Sequence, residues 1–233
     1  MESSPAPGAR RELRSRTQPW ARGLAKHTAA TGLTPNAISL LSLVFSVVAA
    51  AGLFSAVRPG VTPGTAAGCY LLAAAGIQLR LLCNLLDGMV AIECGKKSAT
   101  GGLYNEAPDR LADVILLVAA GATAGPLWGT SLPLGWLAAM LAVGMAYVRV
   151  LGGTLTGTQN FMGPMAKQHR MLLLTLACLA GVFFSVESPG INQAEAHLWP
   201  AVMHLITAGS LWTCWRRLRE IARLLKAGAA ETV

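Results

Sequence analysis

The chain has 233 residues, 53% of them hydrophobic and only 13% charged, with a net charge of +8; its mean hydropathy is +0.49 and its pI about 9.7. Ordinary globular domains carry about 25% charged residues, so a soluble domain is excluded, and apolar content this high excludes disorder over most of the chain. A nucleic-acid groove would carry its basic charge through the fold, but eleven of the nineteen Lys and Arg residues lie within residues 10–26 and 216–226; the expected partner is the lipid bilayer, not nucleic acid.

Residues 1–16 read as disordered. Over residues 19–30, Trp20, Leu24 and His27 alternate with Arg22 and Lys26, a pattern that suits an amphipathic helix at a membrane interface or a solvated basic tail. No cleavable leader is expected, because the first apolar run starts near residue 33. Crossing a hydrocarbon core of about 30 Å takes roughly 20 apolar residues. Six stretches are expected to do so: 36–57, 65–91, 104–125, 132–151, 171–186 and 198–214, the last two short. Gly/Pro segments such as Arg58-Pro59-Gly60 and Ser188-Pro189-Gly190 punctuate them and read as surface turns. The basic stretch after residue 214 keeps Leu218, Ile221, Leu224 and Leu225 among its charges, as a last helix running out along an anionic leaflet would.

Positive residues set orientation. With six crossings, both terminal clusters, Lys96, Lys97 and Lys167 share one side, with Arg149 and Arg170 near its span ends, while the other side holds Arg58, Glu187 and Glu195. Both termini are therefore expected in the cytoplasm. The expected organisation is a basic tail over 1–33, a six-helix membrane domain over 34–214 and a basic extension over 215–233. The five Cys residues form no C-x-x-C pair and support neither a disulfide framework nor a zinc site.

Ionisable groups inside a span are costly and point to function. Five of the eleven acids fall between Asp87 and Asp113, with Arg80, Asn84, Asn105 and Arg110 among them. Arg80, Asn84, Asp87 and Ala91 share one face of the second span, and Asn105, Asp109 and Asp113 one face of the third. Two such faces on antiparallel helices make a polar pocket at their cytoplasmic ends, and its oxygen donors suit Mg²⁺ or Mn²⁺. The structural alternative is an interhelical ion-pair network in which Arg80 or Arg110 neutralises the carboxylates. Gly88, Gly95, Gly101 and Gly102 accompany the acids, where a closely approaching ligand wants no side chain.

Written out, the segment is Asn84-x-x-Asp87-Gly88-x-x-Ala91-Ile92, eight residues, then Gly101-x-x-x-Asn105-x-x-x-Asp109. It resembles the signature of the CDP-alcohol phosphotransferases, D-x-x-D-G-x-x-A-R, eight or nine residues, G-x-x-x-D-x-x-x-D, at every interval. Leu33-Thr34-Pro35-Asn36 at the first span and Arg110 after the last Asp are further points of likeness. The resemblance implies an all-α integral membrane enzyme of about six transmembrane helices. Such an enzyme transfers a phosphatidyl or related phospho-group from a donor such as CDP-diacylglycerol to a small alcohol and releases CMP.

By the same resemblance, Asn84, Asp87, Asn105 and Asp109 would ligate two Mg²⁺ or Mn²⁺ ions, and Asp109 would also be the general base. Thr34, Pro35, Asn36, Gly88, Ala91 and Gly101 would meet the CDP donor. Arg110, Arg149, Lys167 and Arg170 would meet the acceptor or head-group phosphate. Members are often dimers, so a homodimer is an expectation of the resemblance, as is placement in the inner (plasma) membrane with the active site cytoplasmic.

Three signature positions depart: two Asp are Asn84 and Asn105, and the Arg is Ile92. Asn coordinates through its carbonyl without bringing charge, so two metals would be held less strongly. Glu93 and Glu106 lie near enough in sequence to restore charge, Arg80 or Lys96 to replace the missing Arg, and Asp113 to join the site. A shifted register ending on Asp109 and Asp113 lengthens the gap and puts Asn105 at the Gly position; the register that keeps all intervals is preferred. The departures leave room for a divergent, catalytically weakened lipid-binding or scaffolding protein. A small transporter fits less well, because the charges stop at the cytoplasmic ends of two helices.

Overall fold

The computed structural model describes residues 18–124, 131–187 and 193–230. Their elements are all helices: α1 Pro19–Ala30, α2 Pro35–Ala56, α3 Pro63–Glu93, α4 Gly101–Thr123, α5 Ser131–Thr156, α6 Lys167–Glu187 and α7 Gln193–Ala230. The tail over 1–16 and the turn at Ser188-Pro189-Gly190 lie outside the described residues. Each expected span falls on one helix, and α7 runs through the basic stretch after residue 214 without a break.

Helix starts follow from local chemistry. Thr34 and Thr62 cap α2 and α3, their hydroxyls accepting from the N–H groups of Ala37 and Thr65, and Pro follows at the first helical position. That placement costs no hydrogen bond, because the first N–H groups of a helix have no partner within it. Gly95, at φ +68, follows α3 in the left-handed conformation that closes a helix. Its presence beside the acids is thus a matter of the turn, not of making space for a ligand.

Among the described residues, four helices are long and apolar enough to cross a membrane: α2, α3, residues Pro133–Thr156 of α5 and Lys167–Val186 of α6. α4 carries Glu106, Asp109, Arg110 and Asp113 before and around its midpoint, and α7 is diluted by His197, Pro200 and His204. Both nevertheless pack into the bundle, α4 against α2 and α5, α7 against α5 and α6.

Small residues bring the backbones close, as in membrane interiors where packing must substitute for a hydrophobic drive. A Cβ on Gly76 would come within 2.9 Å of Ala49 Cβ and of the Phe45 carbonyl; one on Gly52 would meet the Cys69 carbonyl at 2.7 Å. Tyr70 stacks on Trp199 at 6.0 Å and links α3 to α7. Leu72, Met140, Phe183 and Leu211 on the outer faces are exposed, as lipid-facing side chains would be. α1 buries Ala21 and Ala25 in a cluster with Ile38, Leu86 and Met89, which sets it across the end of α3 nearest the acids.

Candidate functional site

The halves of the signature sit on two helices joined by a short turn. Asn84 and Asp87 occupy neighbouring positions on one face of α3, three residues apart. Asn105 and Asp109 lie on the opening turns of α4, before and after the buried Pro108. The Asn84 amide donates to Asp109 Oδ1 at 2.9 Å, so the first position of one half touches the last position of the other.

Asp109 is the hub. The Lys167 ammonium contacts both its oxygens, at 2.6 and 2.7 Å. Arg110 reaches Oδ2 at 3.1 Å, and Arg80 reaches Oδ1 at 3.4 Å and the Asp109 carbonyl at 3.3 Å. One turn on, the fully buried Asp113 is held between Arg80 at 2.5 Å and Arg170 at 2.7 Å. Arg80 also donates to the Met171 sulfur, and Arg170 to the Met165 carbonyl at 3.0 Å. Asp113 is thus the anion of a buried clamp joining α3, α4 and α6. Arg80 is spent in that clamp and Lys96 on the Ala29 carbonyl at 2.7 Å, so neither replaces the signature Arg, whose position Ile92 leaves exposed.

Asp87 differs from its neighbours. It is 4% exposed and accepts from Ser39 on α2 at 2.7 Å and from the Gly88 N–H. Among the described residues it has no ion pair, whereas Asp109 has three cations and Asp113 two. Ser39 escaped the sequence reading. Its signal was a run of buried hydroxyls, Ser39, Ser42 and Ser46, along one face of an otherwise apolar helix.

The other expected site residues divide. Arg149 pairs with Glu106 at 2.5 Å and lies over the Phe161 ring; Arg110 contacts the same Glu106 at 3.5 Å. Arg110, Arg149, Lys167 and Arg170 all line one cavity of about 460 Å³, as do Asn84, Asn105 and Asp109. Asp87 lies outside that wall. Thr34 and Pro35 are accounted for as the cap and first residue of α2. Asn36 bonds Thr100 and Ser98 at 3.3 and 3.4 Å, fixing the α3–α4 turn. Gly88 and Ala91 are half-buried within α3. A Cβ on Gly101 would meet only Ser98 Oγ at 3.4 Å, so packing alone does not require glycine there. Arg217 on α7 joins the cavity wall and donates to the Met162 and Met145 carbonyls, pinning the α5–α6 connection.

Among the described residues no three His, Cys, Asp or Glu side chains form a metal-holding group. A divalent ion here would therefore depend on Asn carbonyl oxygens as well as carboxylate. At Asp87 the chemistry fits: a buried carboxylate without a direct ion pair is costly, and a hard cation with oxygen ligands meets that need. Asn84 uses its N–H on Asp109, which leaves its carbonyl oxygen available. At Asp109 the charge is already met by the chain's own ammonium and guanidinium groups.

Comparison with known proteins extends the likeness to most of the chain. Residues 32–212 match the family model described as CDP-alcohol phosphatidyltransferase. An inner membrane protein of Escherichia coli, YnbA, is 27% identical over 189 residues, covering 81% of this chain and 84% of its own. The archaetidylinositol phosphate synthase of Methanothermobacter thermautotrophicus is 28% identical over 156 residues, covering 67% and 76%. The fold is similar to that of Mycobacterium tuberculosis phosphatidylinositol phosphate synthase with CDP-DAG bound, at a TM-score of 0.64 and 18% identity over 86% of this chain and 92% of that one. The same enzyme in complex with manganese and citrate gives 0.62 and 19%, over 86% and 88%.

Proposed function

The chain belongs to the CDP-alcohol phosphatidyltransferase family, and from that premise we propose that it makes a phospholipid in the membrane by moving a phosphatidyl group from a CDP-linked donor to an alcohol. It is a membrane protein whose relatives include an inner membrane protein. We infer six crossings, with both termini and the cavity mouth on the cytoplasmic side, from the distribution of Lys and Arg.

The reaction breaks the bond between the CMP oxygen and the phosphorus that carries diacylglycerol, and forms a bond from that phosphorus to the acceptor oxygen. The acceptor loses its proton as it attacks. We assign that proton to Asp109: it lines the cavity, and among the described residues its Oδ2 has two donors, Arg110 and Lys167, against three on Oδ1. Asp87, with carbonyl oxygens of Asn84 and Asn105, would hold a divalent ion, which supplies charge stabilisation to the pyrophosphate and the departing CMP. Lys167 and Arg110 would add positive charge for the same developing negative charge. Arg149 flanks the cavity where an acceptor bearing phosphate would sit, since guanidinium matches phosphate in a bidentate fashion; Arg170 adds its charge to that wall while its Nη groups stay on Asp113 and the Met165 carbonyl.

The observation that carries this reading is the hydrogen bond from Asn84 to Asp109, which joins the two halves of the signature at the wall of a cavity lined with cations. Purified protein given CDP-diacylglycerol, Mg²⁺ or Mn²⁺ and a panel of alcohols and their phosphates should release CMP with at least one acceptor. No CMP from any pair, with the protein folded and metal present, refutes transfer. A second reading, a protein that binds CDP-lipid without turning it over, is favoured by the self-neutralised Asp109. It predicts saturable CDP-diacylglycerol binding in the same preparation and no CMP.

A further inference from the structure

We propose that this chain takes a single divalent ion, at Asp87, and that the ammonium of Lys167 fills the second cation position, on Asp109. The inference rests on the CDP-alcohol reading above and deepens it. Two observations lead to it. Asn84 and Asn105 remove two negative charges from the signature set, the charge of one divalent ion. The structure then shows where a cation is still wanted and where it is not.

Asp109 has Lys167 on both oxygens, with Arg110 and Arg80 beside it. A metal entering there would have to displace a bidentate ammonium and lie against two guanidinium groups, with one carboxylate to hold it. Divalent ions of this class bind through carboxylates and carbonyls, and like-charge neighbours work against binding at this range. Asp87 is the opposite case: 4% exposed, hydrogen-bonded to Ser39 and the Gly88 N–H, and without an ion pair among the described residues. The cation-poor carboxylate is the metal ligand; the cation-rich one has its counter-ion built into α6.

The arrangement has a consequence for the chemistry. An ammonium fixed to the chain is always present, so one of the two cations around the pyrophosphate does not depend on metal concentration. Lys167 is then a residue that touches the donor's phosphate as well as the base, and a Lys167 variant exchanges one kind of cation for another.

The count is read directly. Mn²⁺ titrated into purified protein, with free Mn²⁺ measured by its EPR signal, should show one site per chain. Asp87→Asn should abolish that site. The N105D/K167M protein restores a carboxylate and removes the ammonium, and should bind two ions. Lys167→Arg, which keeps the charge, should still bind one. Two ions in the wild type, none in the wild type, or one in a folded N105D/K167M protein would each overturn the proposal. If the double variant does not fold, the wild-type count and the Asp87→Asn loss decide alone. CMP release is measured on the same samples. One ion without CMP refutes transfer and leaves the cation substitution standing; CMP with two ions does the reverse.

Discussion

Replacing Asp113 with Asn tests the division of the acidic cluster into a structural and a reactive part. Asp113 is fully buried between Arg80, itself fully buried, and Arg170, 3% exposed. Asparagine keeps the volume but cannot balance two guanidinium groups. Breaking one buried pair by removing a partner costs about 3–5 kcal/mol, because the remaining charge is left without compensation. Here two charges lose their partner. Arg80 retains its long contact to Asp109 and Arg170 its bond to the Met165 carbonyl, so a single pair's cost is the reasonable magnitude, not twice that.

Unfolding by SDS in mixed micelles, followed by circular dichroism, measures the loss. A loss of less than about 1 kcal/mol, as for an exposed pair, would refute the view that Asp113 is the anion of a clamp. The triple replacement R80M/D113L/R170M removes all three charges and should recover much of the loss, since apolar residues often replace buried ion pairs without penalty. Recovery without CMP release would show that the clamp also positions Asp109.

Asp109→Ala should lower CMP release by at least about 10²-fold while the protein stays folded, the scale expected when an acid–base group is lost, and Asp87→Ala should lower it by losing the divalent ion; normal rates in both would remove the proposed site. Arg149→Ala frees Glu106 and should raise KM for a phosphorylated acceptor with little change in kcat, checked by initial rates over acceptor concentration. Gly76→Leu forces a side chain into space already 2.9 Å from Ala49 and Phe45, and should cost about 1–3 kcal/mol in the SDS assay as overpacking does. Green fluorescent protein fused after residue 233 should fluoresce, and alkaline phosphatase fused there should be inactive, if the C-terminus is cytoplasmic.

The helices were legible because apolar runs and Gly/Pro breaks are local signals, and so was the shared face of Asn84 and Asp87, which follows from helical spacing alone. Partner choice was not legible. Arg80, Lys96 and Lys167 look alike as basic residues near an acidic cluster, yet one is locked in the α3–α4–α6 clamp, one holds the end of α1 and one sits on Asp109. These assignments depend on which helices become neighbours, and periodicity carries no information about that. Ser39 is the clearest loss, a hydroxyl on α2 paired across the interface with Asp87. Thr34 and Pro35, expected at a donor site, also have a complete explanation as a helix cap.

The pairing pattern also bears on what the cavity can hold. Three carboxylates, Glu106, Asp109 and Asp113, pair with five cations, Arg80, Arg110, Arg149, Lys167 and Arg170, and Asp87, without an ion pair among the described residues, brings the carboxylates to four. Arg217 adds a sixth cation at the cavity wall, where it donates to backbone carbonyls. The site is therefore cationic before any metal enters, and one divalent ion increases the excess. A neutral ligand would gain nothing from that field, while a pyrophosphate brings the negative charge it lacks. The two asparagines strengthen this bias instead of weakening it: each removes an anion that would have repelled the donor. On the proposed reading, a signature that has lost acids would draw its affinity for phosphate from the chain's own side chains, and the departures at Asn84 and Asn105 are then compatible with transfer.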